Sequence, residues 1–144
     1  MDRFTFWRRW LLAGTGLLVA FGLAMVFLAG TPAFDPLHHR IDPAFWGDTA
    51  PPAAARAFAR WAYGAWGATI AGWGVFILAM TAGPFSARER WARNTMAAGL
   101  VVWYVLDTGV SLRCGVSFNA ALNTALLVML GLPLACTWRS FPPR

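Results

Sequence analysis

Apolar residues fall into four long runs, at 10–30, 58–81, 91–112 and 118–136, separated by polar stretches of very unequal length. Each run has roughly the 20 residues a helix needs to cross a ~30 Å hydrocarbon layer. The pattern predicts an all-α protein, an integral membrane four-helix antiparallel bundle forming a single domain over 1–144, with one long periplasmic loop at 31–57. The first run follows Arg3, Arg8 and Arg9 like a signal sequence, but it is longer than the ~7–15 apolar residues of a cleavable segment. It reads as a retained anchor helix.

Three connections follow from the breaks in the pattern. Between the second and third runs, "GPFSARERWARN" stops the helix at Gly83 and Pro84 and then brings Arg88, Arg90 and Arg93. Between the third and fourth, "RCGVS" is a tight turn, so those two helices must be neighbours. The loop at 31–57 contains Asp35-Pro36 and Asp42-Pro43, predicted short helix starts with aspartate as cap and proline at the first helical position. Phe34, Leu37, Ile41, Phe45 and Trp46 lay this loop on the mouth of the bundle.

Lipid does not drive helices together, so seams form where small side chains permit close approach. Gly64, Ala68 and Gly72 form one such ladder and Gly16, Ala20 and Ala24 another, and both read as intramolecular packing faces. Trp66, Trp73 and Trp103 read as core filling, whereas Trp7, Trp10, Trp61, Trp91 and Trp138 fall at run ends, where indoles favour the headgroup layer.

Composition narrows the class further. With 58% hydrophobic and only 12% charged residues, the chain has too little polar surface for a soluble domain of this size. All twelve basic residues are arginine, and their spread around the apolar runs argues against nucleic acid despite the net charge of +6. Eight arginines fall on the side of the termini and four (Arg40, Arg56, Arg60, Arg113) on the other, which places both termini in the cytoplasm and His38 and His39 outside. Cys114 and Cys136 lie near opposite ends of the last run, too far apart for a disulfide, and read as small buried apolar side chains.

Candidate chemistry gathers around the "RCGVS" turn. Asp107 and Ser111 share a face at i, i+4, as do Asn119 and Asn123. At ~1.5 Å per residue, Asp107 and Asn123 lie roughly 8–12 Å from the turn, with Tyr104 one turn deeper. Arg60, Tyr63 and Trp66 of the second run reach similar depth. These eight residues form the candidate binding cluster, read either as a ligand pocket holding Asp107 as acid, base or binding carboxylate, or as an interhelical polar network with Arg60 as a counter-charge. No catalytic motif is present: there is no P-loop, nucleophile elbow or dinucleotide turn. His38 and His39 are weak metal candidates because adjacent histidines diverge on a helix, and neither lies within a run to hold a haem, so no cofactor is expected. Arg88, Arg90 and Arg93 are candidates for anionic lipid headgroups.

The strings "IDPAFWG", "YGAWGATIAGWGVF", "ERWARN" and "LDTGVSL…FNAALNT" resemble those of small bacterial four-helix membrane proteins, which implies the bacterial inner membrane but carries no activity with it. Likeness to sterol-isomerase and DoxX-type bundles is limited to helix count. The leading expectation is a non-enzymatic membrane protein with a binding or accessory-subunit role, its partners being the lipid bilayer and a larger membrane complex or a second copy. The alternative is a membrane enzyme or carrier acting on a small amphipathic or lipid-like molecule through Asp107.

Overall fold

The computed structural model describes residues 2–141, so Arg144, one of the arginines counted on the terminal side, lies outside the described residues. Helix α1 spans Arg3–Leu28 and begins ahead of the apolar run because Asp2 caps it. The Asp2 carboxylate accepts from the Thr5 backbone N–H at 2.6 Å, which holds its pKa below the ordinary aspartate value. This capping is therefore complete above that ordinary value and is lost as the pH falls through the lowered one.

The long connection between the first two apolar helices is partly helical. A 3₁₀ turn at Pro32–Phe34 leads into the short helices α2 (Asp35–Ile41) and α3 (Pro43–Trp46), and Gly47, with φ of 56°, ends α3. The Asp-Pro steps do start or adjoin both helices, but neither aspartate side chain makes a capping bond, and the N-cap of α2 is Phe34 rather than Asp35. Helix α4 (Ala53–Ala82) begins directly after Pro52, well before the apolar run at 58, so the irregular part of the loop is shorter than predicted. Helices α5 (Arg90–Arg113) and α6 (Ser117–Thr137) are joined by a turn in which Gly115 takes a φ of 75°, a conformation that favours glycine.

Four helices are long and apolar enough to cross a membrane. Helix α1 packs along α4 and α6, and α5 packs on α6, whereas the backbones of α4 and α5 scarcely approach one another. The α1–α4 seam lies on a different face of α4 from the expected ladder. A Cβ on Gly22 would stand 2.6 Å from the Gly67 carbonyl oxygen and 2.7 Å from the Ala71 nitrogen, and one on Gly74 would stand 2.5 Å from a Val19 methyl. By contrast, nothing lies within 4 Å of such a Cβ on Gly64, Gly72 or Gly16, and Ala68 is exposed. The ladder Gly64, Ala68, Gly72 is therefore not the seam: Gly67, Ala71 and Gly74 are, because Gly67 and Ala71 meet Gly22 on the facing helix and Gly74 meets Val19.

Helix α6 contains Pro133, which lacks the N–H that would bond the carbonyl four residues back, at Met129. The Trp10 indole N–H donates to that carbonyl at 3.0 Å. Trp10 thus satisfies a broken helix bond in addition to lying at a helix end, and Trp10→Phe is expected to lower thermal stability by about 1 kcal/mol, read in a detergent melt. The fully buried Thr15, Thr81 and Thr137 each donate to the carbonyl four residues back.

The end of the molecule bearing both described termini is closed. Phe85, wholly buried, stacks on Phe4 with ring centroids 5.6 Å apart and meets Phe141 at 5.1 Å. The Arg88 guanidinium covers Phe4 at 4.6 Å. Arg93 does not reach outward as a headgroup ligand: it is 4% exposed, lies over the Trp138 ring at 3.8 Å and donates to the Trp138 carbonyl at 2.8 Å. It clasps the end of the chain to α5, while Arg90 remains exposed. Both cysteines are free, and Cys114 is exposed at the α5–α6 turn instead of buried.

Candidate functional site

At the opposite end, the gap between α4 and α5 opens into a cavity of about 1280 Å³. Its roof is the segment 29–46 with α2 and α3, its back wall is α1 and α6, and its floor is Leu18, Leu130, Trp73 and Trp103. The two indoles, 5.9 Å apart, are where the side chains of α4 and α5 meet. Trp73 and Trp103 pack against the core, as expected, and also line the cavity, whereas Trp66 lines it without joining the core. Trp66 on α4 and Leu106 on α5 both line the cavity and are more than half exposed, so the opening faces sideways.

The α5–α6 wall carries a connected hydrogen-bond cluster. The Asp107 Oδ1 accepts from Asn119 Nδ2 at 2.8 Å, from Asn123 Nδ2 at 2.9 Å and from Ser111 Oγ at 3.2 Å. Asn119 Nδ2 also reaches Ser111 Oγ at 2.8 Å, and Ser111 Oγ donates to the Asp107 carbonyl at 2.7 Å. Asn123 is 3% exposed and additionally donates to Thr108 Oγ1 at 3.3 Å. Helical periodicity explains the convergence: each helix projects two polar residues one turn apart, and the tight turn sets them at equal depth. Every side-chain bond to the carboxylate falls on Oδ1. Among the described residues Oδ2 receives none, and Asp107, Ser111, Asn119 and Asn123 all line the cavity.

The other predicted members are placed differently. Tyr104 shares a hydrogen bond with Thr124 Oγ1 at 3.2 Å, a separate α5–α6 pair outside the cavity wall. Tyr63 and Trp66 stand across the cavity with rings 5.6 Å apart and make no hydrogen bond to Asp107. Arg60 is not a counter-charge for Asp107. It packs over Gly30, where an added Cβ would stand 2.5 Å from its Nε, beside the C-terminal end of α1 that attracts a cation. Arg56 at the same rim donates to the Pro51 carbonyl.

The histidines belong to the roof. The His38 ring meets Tyr63 edge-on at 5.4 Å, and His39 Nδ1 is hydrogen-bonded to the Asp35 carbonyl at 2.7 Å. Among the described residues no three side chains of His, Cys, Asp or Glu gather as metal ligands. Thr108 was missed in the sequence, though it follows Asp107 directly and threonine is a ready acceptor for a neighbouring amide. The cavity itself had only an indirect signal, the tryptophans at 66, 73 and 103.

No family model, curated protein or solved structure matches this chain. Function is therefore read from the chemistry of the cavity: a large apolar chamber, open at the side, with one hydrogen-bonded carboxylate on its wall.

Proposed function

We propose that this chain is a bacterial inner-membrane protein, an antiparallel four-helix bundle with cytoplasmic termini and a periplasmic loop, that binds a small amphipathic molecule. Topology is supported by the arginine bias and by the pairing of contacts: Gly22 faces Gly67 and Gly30 faces Arg60, while Asp107 pairs with Asn119 and Asn123, so residue numbers rise along one helix as they fall along its neighbour. In that orientation the Phe4–Phe85–Phe141 plug is cytoplasmic and the cavity occupies the outer half of the bilayer. A reporter fused at the C-terminus is expected to be active only in the cytoplasm, and periplasmic activity would reverse the topology.

The cavity carries the binding reading. Its volume of about 1280 Å³ is beyond the ~300–1,000 Å³ of ordinary small-molecule sites, its lining is mostly apolar, and its α5–α6 wall carries a hydrogen-bonded cluster around Asp107. Such a chamber suits a molecule with an apolar body and a single polar head, arriving from the membrane through the gap between α4 and α5. The role is binding or accessory, since one carboxylate with two amides supplies no nucleophile–base pair. Native mass spectrometry after mild extraction is expected to find a noncovalent adduct of lipid-like mass that is lost in Leu122→Trp, which fills the chamber. Adduct-free protein, or an adduct indifferent to that substitution, would count against the reading.

A further inference from the structure

Resting on the binding reading, the unused oxygen of Asp107 names the ligand's head. We infer that the cavity selects an amphiphile with a cationic ammonium head, held against Asp107 Oδ2.

Charge accounting is the first argument. Asp107 is the only acidic residue in the four long helices, and among the described residues it has no cationic partner. Both rim arginines line the same cavity, yet neither reaches Asp107: Arg56 donates to the Pro51 carbonyl, and Arg60 packs over Gly30. A carboxylate set in an apolar wall without a counter-ion is stabilised by whatever brings a positive charge.

Geometry is the second. Two amides donate to Oδ1, at 2.8 and 2.9 Å, and the Ser111 hydroxyl, whose one proton is shared with the Asp107 carbonyl, lies 3.2 Å from it; Oδ2 is left for a ligand that donates. The site offers an acceptor, so an N–H or ammonium head fits and a phosphate or carboxylate head is repelled. Aromatic faces are the third argument. Tyr63 and Trp66 stand as an edge-to-face pair on the α4 side of the same chamber, and their rings favour a cation over a neutral head. The chain of the amphiphile then lies along Trp73 and Trp103 toward the gap between α4 and α5.

The test compares heads at constant chain length. Purified protein in nonionic detergent is titrated with dodecylammonium, dodecanol and dodecyl phosphate, each at the same micellar partition. Wild-type protein is expected to bind dodecylammonium about tenfold or more tighter than dodecanol, with dodecyl phosphate weakest. Asp107→Asn should bring dodecylammonium and dodecanol to equal affinity. Equal binding of all three heads by the wild type would overturn the cationic preference and leave the amphiphile reading standing. A preference that survives in Asp107→Asn would remove Asp107 from it. If none of the three binds, the preference and the underlying reading both fail. The ranking on wild-type protein stands without the variant, should that variant not fold.

Discussion

Gly67→Leu is expected to lower stability in detergent by about 3 kcal/mol, the upper part of the range for overpacking a close helix seam. The reason is backbone, not side chain: a Cβ at Gly67 meets the Gly22 carbonyl oxygen at 2.5 Å, the Met25 Cβ at 2.6 Å and the Val26 nitrogen at 3.0 Å. None of these can swing aside, so α1 and α4 must separate. The neighbouring substitutions Ala68→Leu and Gly72→Leu add bulk to the same stretch of α4 on a face with open space, and they should change the melting temperature little. Comparing the three by thermal or denaturant unfolding separates a positional seam from a general preference for small residues. Equal losses at all three positions would place the seam elsewhere.

The second large effect is at Asn123. Its amide is 3% exposed and serves both Asp107 Oδ1 and Thr108 Oγ1. Asn123→Ala removes a donor from a carboxylate on an apolar wall, at a cost of about 1–3 kcal/mol, and weakens the tie between α5 and α6. Asp107→Asn behaves differently. An amide oxygen can take the place of Oδ1, the donors keep their acceptor, and a charge that is costly to hold in an apolar wall is removed. Stability should stay within about 1 kcal/mol of the wild type or rise, with the preference for an ammonium head lost. A variant pair in which Asp107→Asn unfolds and Asn123→Ala does not would contradict the assigned roles.

Much of this was legible from periodicity. Four apolar runs became the four long helices, and the i, i+4 pairs on either side of a tight turn brought Asp107 to Asn119 and Asn123. Such local rules work where the turn leaves no freedom of register. They failed where contact depends on which faces of distant helices meet. Helix α4 carries small residues at 64, 67, 68, 71, 72 and 74, and several ladders are equally regular; only the positions of Gly22 and Val19 on α1 select Gly67, Ala71 and Gly74. Likewise, Tyr104 lies at the right depth for the polar cluster but pairs with Thr124 outside the cavity, and Arg60 lines the cavity without reaching Asp107; depth alone could not exclude either. Arg93 looked like a surface charge in a run of arginines, and its burial comes from Trp138 and Phe141, some 45 residues further along in the case of Trp138. The cavity was least visible, because it arises from two helices joined by a short loop yet diverging.

The central claim is that the outer chamber between α4 and α5 holds an amphiphile against Asp107. Photolabelling tests it most directly, using a dodecylammonium probe with a diazirine at the chain end on protein in lipid nanodiscs, followed by peptide mapping. The account predicts that labelling concentrates on chamber residues such as Trp73, Trp103 and Leu126, and that Leu122→Trp or an excess of unlabelled dodecylammonium suppresses it. Labels spread evenly over outward-facing positions such as Leu17, Phe27 and Phe76, with no effect of the competitor, would contradict it.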